Sequence, residues 1–282
     1  MLLAAFFFVG MDTIAKLLGP DYPVPQLLWA RFGVHMLVIL AFVAATGRKG
    51  RRLLTSVAPF GQILRGLLLL GSTSFAYLAV QELPLVQVYI INFTSPLIVT
   101  LLAIPLLGER IGGRRVLAIC MGFTGVLVAL GPHNITTDHA LLLPACMALC
   151  FAMYQIATRH YGRDDPVLTS LFYTATAGAI VSTLLLPFFW TPIAAEDAWL
   201  FVLIGLFGAA GHISLIMAMR LAEASLVSPF LYSQLVWASL AGILIFGYYP
   251  AKNAFYGAAL LVLAGILIVW SERRRPDLKT LS

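Results

Sequence analysis

Runs of about twenty almost wholly apolar residues recur along this chain, and they limit its possible folds more than any other feature. Ten are recognisable, near residues 2–19, 25–46, 60–80, 85–107, 115–131, 139–160, 167–190, 197–220, 225–247 and 252–271. A helix needs about 20 such residues to cross the hydrocarbon of a bilayer. Inside lipid each backbone N–H and C=O must be satisfied within the protein, so runs of this kind are helices or barrel strands. Their hydrophobicity is continuous rather than alternating, which excludes a barrel. Of 282 residues, 61% are apolar and only 11% charged, whereas a soluble domain carries roughly 25% charged residues. The expected fold class is therefore an all-α polytopic membrane protein with ten transmembrane helices, embedded in a lipid bilayer. The first run starts at Met1 and lacks the cationic region and cleavage site of a secretory leader, so it is expected to remain as an anchor.

Lys and Arg set the orientation. With ten spans both termini share a side. On that side lie fourteen basic residues, among them Arg48, Lys49, Arg51, Arg52, Arg110, Arg159, Arg220 and Arg274, against Lys252 alone on the other. The remaining three, Lys16, Arg31 and Arg65, fall inside spans. This excess predicts that both termini are cytoplasmic. "GRKGRR" and "ERRR" are read as membrane-flanking clusters rather than nucleic-acid sites. Cys120, Cys146 and Cys150 all lie within spans and are expected as packing residues, because no nearby His or carboxylate completes a metal set. "NIT" at Asn134 matches a glycosylation acceptor, but so does "NFT" at Asn92 in mid-span, so the match carries no weight.

The chain repeats itself. "FVGMDTIAKLLG" from Phe8 aligns with "FAMYQIATRHYG" from Phe151: Phe8 meets Phe151, Lys16 meets Arg159 and Gly19 meets Gly162. Pro23–Val24 meets Pro166–Val167 at the same offset of 143. Further on, Glu82 meets Glu223, Gly108 meets Gly247, and Gly125 meets Gly265, so the offset drifts only to 139–141. The repeat unit holds five helices. Five is odd, so the second copy crosses the membrane in the opposite sense, giving halves 1–132 and 139–271 and a cytoplasmic tail 272–282. Inverted repeats of this kind are a common transporter plan, with the site at the midplane between halves.

"DTIAKLL", "YPVPQLLWARF", "LPLVQVYIINFTSPLIVTLLAIPLLGERI" and "GFTGVLV" resemble the EamA-type transporters of the drug/metabolite transporter superfamily, over about residues 5–270. The second half departs from the pattern, with Leu235 at the Pro96 position and Tyr248 at the Glu109 position. The resemblance implies a secondary transporter of the bacterial inner membrane that exports or exchanges small metabolites, amino-acid-like compounds being frequent substrates. It also implies that spans 1, 3, 4, 6, 8 and 9 surround the path, with spans 2 and 7 as gates. Uptake or exchange of a nucleotide-like metabolite such as S-adenosylmethionine is the alternative. A polar, cationic path would favour that alternative, and an aromatic, mostly apolar one would favour amino acids. An intramembrane enzyme is the reading from another class, but no Walker A, HExxH or GxSxG sequence is present and no catalytic triad is evident. No cofactor, metal or nucleic acid is expected; partners are a small-molecule substrate and lipid, in a monomer or homodimer, with spans 5 and 10 as scaffold or dimer surface.

Polar residues inside spans mark the candidate path, since a charge in hydrocarbon is a functional-site hypothesis by default. Asp12 either pairs with Lys16 four residues away or lines the path; its counterpart, Gln155, keeps a polar group at that depth without charge. Lys16 is expected to reach an interface by its long stem. Arg31 holds a substrate carboxylate, pairs with Asp12 or snorkels; its repeat partner is Thr174. Pro96 and Pro105 interrupt span 4, and Pro229 enters span 9, each freeing a helix carbonyl. On these spans Tyr89 and Asn92, and Gln234 and Trp237, are three apart and share a face. With Tyr232, and more weakly Tyr77 and Tyr154, they are the candidate substrate contacts. Glycines of "GLFGAAG" (Gly205–Gly211) read as a close helix-packing stripe.

Overall fold

The computed structural model describes residues 1–47, 54–107, 113–131, 139–161, 165–222 and 227–273. Gly108, Glu109, Asn134, Gly162, Glu223, most of the loop arginines and the tail beyond 273 lie outside the described residues. Among those described the chain is helical, with no strand: α1 (Leu2–Leu18), α2 (Val24–Thr46), α3 (Pro59–Glu82), α4 (Leu85–Asn92), α5 (Thr94–Leu107), α6 (Gly113–Leu130), α7 (Leu142–Tyr161), α8 (Val167–Leu185), α9 (Ala198–Leu221), α10 (Gln234–Phe246) and α11 (Lys252–Arg273). Short 3-10 segments precede α7, follow α8 and precede α10. Among the described residues six stretches are long and apolar enough to cross a membrane: Val24–Thr46, Pro59–Glu82, Leu85–Leu106, His139–Tyr161, Val167–Phe188 and Ala198–Leu221. Val116–Leu130, Phe230–Phe246 and Lys252–Leu267 are shorter apolar helices.

The burial pattern is that of a protein with lipid outside. Large apolar side chains such as Leu37, Leu184, Leu206 and Leu244 are exposed, while Gln26, Arg31, Gln62, Arg65 and Gln155 are fully buried. In water such an outer surface would aggregate; in hydrocarbon it costs nothing, and polar groups gather inside. The three cysteines differ from expectation. Cys120 and Cys146 are exposed and Cys150 is half-buried, so they sit on the outer shell rather than in the packed interior. A thiol is apolar enough to face lipid without a partner.

Packing partners recur between the two halves. α1 packs on α9 as α3 packs on α7, and α2 on α9 as α3 on α8. The 3-10 segment and α10 pack on α1 as α4 and α5 pack on α7. α2 meets α8, α4 meets α10, and α6 meets α11 in the broadest contact among the described residues. There a Cβ on Gly125 would stand 2.9 Å from the Gly257 carbonyl oxygen, so only glycine lets these backbones touch. The "GLFGAAG" stripe works likewise: Gly205 faces Val34 of α2, Gly208 faces Met11 and Arg31, and Gly211 faces Phe8 of α1.

Span 4 breaks at Phe93, between α4 and α5. Pro96 has no N–H to give the carbonyl of Asn92, four residues back, and its ring crowds that carbonyl. The helix therefore opens one turn ahead of the proline, while Pro105 is carried inside α5. Span 9 opens instead with a 3-10 segment, Ser228–Ser233, before α10.

Candidate functional site

The lipid side of α1 is taken by Leu2, Leu3, Phe6 and Leu17, which leaves Asp12 pointing inward and buried. Its Oδ2 accepts a hydrogen bond from the Tyr89 hydroxyl at 2.5 Å, and its Oδ1 is buried without a partner. The Asp12–Lys16 pair weighed from the sequence is not what forms. Lys16 donates to the carbonyls of Val80 at 2.5 Å and Leu83 at 3.0 Å, where the C-terminal end of α3 offers carbonyls that lack helical partners. Its repeat mate, Arg159, donates to the Met219 carbonyl near the C-terminus of α9 at 2.9 Å. In each half, then, the basic residue of the first helix holds the last turn of the third.

Arg31 does not snorkel. It is fully buried in α2, because α9 approaches through Gly208, whose added Cβ would lie 3.4 Å from Arg31 Cγ and Nε. Arg31 Nη2 donates to His212 Nε2 at 2.7 Å and Nε to Met11 Sδ at 3.2 Å, and the guanidinium lies 4.1 Å from the centre of the Phe32 ring. Nη1 alone is buried without a partner. Since Arg only donates, His212 Nε2 carries the lone pair and Nδ1 the proton, which faces the Tyr154 hydroxyl at 3.4 Å. His35 stacks parallel to His212 with centroids 6.4 Å apart.

These groups surround a central cavity of about 30 Å³, room for about one water-sized group. Its polar walls are Asp12, Arg31, Asn92, His212 and Gln234, with Ser72 and Thr73 beside them. Phe8 and Phe151 also line it. These two repeat mates meet edge to face, centroids 6.0 Å apart, so matching positions of the two halves touch at the cavity. Asn92 reaches it because α4 ends there, and Gln234 because α10 begins there.

Of the sequence candidates, Asp12, Arg31, Asn92 and Gln234 come together. Tyr89 stands behind Asp12 as its donor, and Tyr154 behind His212. Tyr77 is fully buried and Tyr232 packs on Phe93 at 5.2 Å, the hydroxyls of both without a partner. Gln155 is buried off the cavity. Trp237 faces outward, 38% exposed, edge-on to Phe6; three residues along a helix still leave about 60° between side chains, which here divides interior from lipid. Lys16 stands beside a separate open depression of about 370 Å³ walled also by Gly19, Gln81 and Phe246. Sequence reasoning missed His212, His35, Ser72, Thr73 and the role of Arg65. His212 directly follows the glycine stripe, and a polar residue ending such a stripe on span 8 was the available signal.

Two sets of hydrogen bonds join the ends of the helices. At one, the Tyr22 hydroxyl donates to Asp197 at 2.8 Å and accepts from the Ala194 amide at 3.0 Å. Beside it the Gln26 amide donates to the Thr191 carbonyl at 2.8 Å and accepts from the Thr191 N–H at 2.9 Å. At the other, Asp165 accepts from the Ser56 hydroxyl, from the Val57 amide at 3.0 Å and from Gln62 Nε2 at 2.6 Å. Gln62 in turn accepts from Arg65, which also donates to Thr158 at 3.0 Å. Burial alone would raise the Asp165 carboxyl, but its hydrogen bonds and the Arg65 charge together hold it below the usual 3.8. Tyr22 and Asp165 lie 143 residues apart, the offset of the prolines that follow them. Each proline N-caps the next helix, with ψ of 147° at Pro23 and 149° at Pro166.

An apolar outer shell around buried, part-satisfied polar groups at the centre defines a multi-pass membrane protein with a polar interior. The chain belongs to the EamA-like transporter family, whose profile matches residues 1–131 and 139–271. It is 32% identical to the S-adenosylmethionine uptake transporter of Rickettsia felis over 265 residues, 93% of this chain and 88% of that one. It is 30% identical to the riboflavin transporter of Rhizobium johnstonii, over 98% of this chain and 91% of that one. A crystal structure 21% identical superposes with a TM-score of 0.74, covering 97% of this chain and 96% of its own, and speaks for the fold alone. The protein is a transporter of small metabolites in the bacterial inner membrane.

Proposed function

We propose that this protein takes up or exchanges S-adenosylmethionine, or a close chemical relative, by alternating access. Ten helices in two inverted halves, 1–132 and 139–271, would rock about the central cavity, with both termini cytoplasmic. The full-length likeness to an S-adenosylmethionine uptake transporter carries this reading. The cavity supports it: a buried arginine and a carboxylate on its walls suit a charged metabolite. Amino-acid export, expected from the resemblance, finds no such support among the relatives. At about 30 Å³ the cavity holds no whole metabolite in this state, and both ends carry hydrogen bonds, so taking substrate requires the cavity to widen as one end opens.

The test is counterflow in proteoliposomes loaded with unlabelled S-adenosylmethionine. Labelled S-adenosylmethionine should accumulate inside, and riboflavin or leucine should not drive it. Counterflow with riboflavin and none with S-adenosylmethionine would sink the proposal. Orientation is checked separately by cysteine accessibility, where a residue 50 or 274 labelled only from outside would overturn it.

A further inference from the structure

The geometry points to a site for an α-amino-acid head group in the central cavity, the substrate's carboxylate on Arg31 and its ammonium on Asp12, Asn92 and Gln234. This rests on the transport reading above and names which part of the substrate the cavity holds.

The cavity wall is marked by unmet hydrogen bonds. Four polar wall residues, each at least 98% buried, present an unsatisfied atom: Asp12 Oδ1, Arg31 Nη1, Asn92 Oδ1 and Gln234 Oε1. Buried polar atoms without partners are rare in native proteins, and each calls for an explanation. A plain structural ion pair would answer it, yet the two charges on this wall keep these atoms unbonded. Asp12 is turned by Tyr89, and Arg31 is pinned by His212, Met11 and Phe32. Holding opposite charges apart in a buried site is costly unless something comes between them.

The open atoms point to what that is. Asp12 offers an acceptor whichever way it turns, and the side-chain amides of Asn92 and Gln234 can present their oxygens; a primary ammonium has three N–H donors. The fourth open group is a guanidinium N–H, the usual partner of a carboxylate. A ligand with an ammonium and a carboxylate on one carbon would satisfy all four once the cavity widens from its present volume of about 30 Å³. S-adenosylmethionine carries that head group; riboflavin carries neither charge. Asn92 and Gln234 come from the broken and 3-10-led spans, one in each half, so the ammonium would bridge the halves when they close on it.

Competition with labelled S-adenosylmethionine in the wild-type protein tests this without any substitution. The probes are S-adenosylhomocysteine, which keeps the head group but loses the sulfonium; decarboxylated S-adenosylmethionine, which keeps the ammonium but loses the carboxylate; and 5′-methylthioadenosine, which has neither. S-adenosylhomocysteine should compete well, and the other two should be weaker by about tenfold or more, the worth of one charged hydrogen bond. In Arg31→Gln the gap between S-adenosylhomocysteine and the decarboxylated probe should close. If decarboxylated S-adenosylmethionine competes as well as the intact head group in the wild type, the site is wrong, and the uptake proposal is judged by the counterflow result alone. If S-adenosylmethionine is not carried but another amino acid is, with the same need for both groups, the head-group site holds and the substrate assignment falls.

Discussion

Asp12 and Lys16 lie one helical turn apart, yet the structure gives them unrelated tasks, and single substitutions should separate them. Asp12→Asn keeps an acceptor for the Tyr89 hydroxyl, so the protein should fold and elute normally. It removes the negative charge from the cavity wall, so counterflow of ammonium-bearing substrate should fall by about tenfold. Wild-type counterflow at matched expression would reduce Asp12 to a structural role. Lys16→Gln should do the reverse. It weakens the hold on the last turn of α3, worth about 1 kcal/mol, and should lower the melting temperature in detergent while transport largely survives. The sequence made both residues conspicuous, because any charge in an apolar run is. It could not say which carbonyl or hydroxyl each would meet, since Val80 and Tyr89 are brought in from distant segments by packing. Trp237 is the counterpart case: helical spacing put it beside Gln234, but a difference of about 60° was enough to turn it to lipid.

At the scale of elements, prolines and glycines were the most legible signals, because their effects are local. Pro96 marked a break in span 4, and the break falls where the missing N–H would have pointed, at Asn92 and Phe93. Restoring that N–H should restore the helix. Pro96→Ala is expected to fuse α4 and α5 and rotate Asn92 off the cavity wall. The predicted outcome is a protein as stable as wild type or slightly more so, with transport lowered several-fold; unchanged transport would mean that the break serves packing alone. The glycine stripe of α9 was also legible, as a place where another helix comes close. That the neighbour would be α2, and that the approach would trap Arg31 beside His212, depended on the third dimension. Gly208→Leu should therefore displace the Arg31 side chain and lower transport sharply, whereas Gly33→Leu, at a glycine with no atom within 4 Å of an added Cβ, should do neither.

For the whole molecule, the matched packing of α1 on α9 and α3 on α7 and the two bonded ends are what the proposed inverted repeat requires, and their opposition yields the sharpest prediction. The Tyr22–Gln26 end and the Asp165 end are built at corresponding positions, so alternating access requires each to open while the other stays shut. Asp165→Ala removes the acceptor of three hydrogen bonds and should favour opening at the proposed cytoplasmic end. Tyr22→Phe with Gln26→Ala should favour the other. Spin labels on Val57 and Pro166, and on Asp21 and Glu196, in a background without native cysteines, read the two ends separately. Asp165→Ala should lengthen the Val57–Pro166 distance and leave Asp21–Glu196 short, and the Tyr22/Gln26 variant should give the opposite. Acidity gives a second handle. The folded-state carboxyl of Asp165 sits below 3.8, so its contribution is complete above the unfolded value and is lost only as pH falls through the lower, folded one. The Val57–Pro166 distance should therefore be constant from about pH 8 to 5. Opening of both ends by either variant, or a change of that distance within this range, would refute the paired-end mechanism, because two independent closures under one symmetry cannot yield together and still keep the membrane sealed.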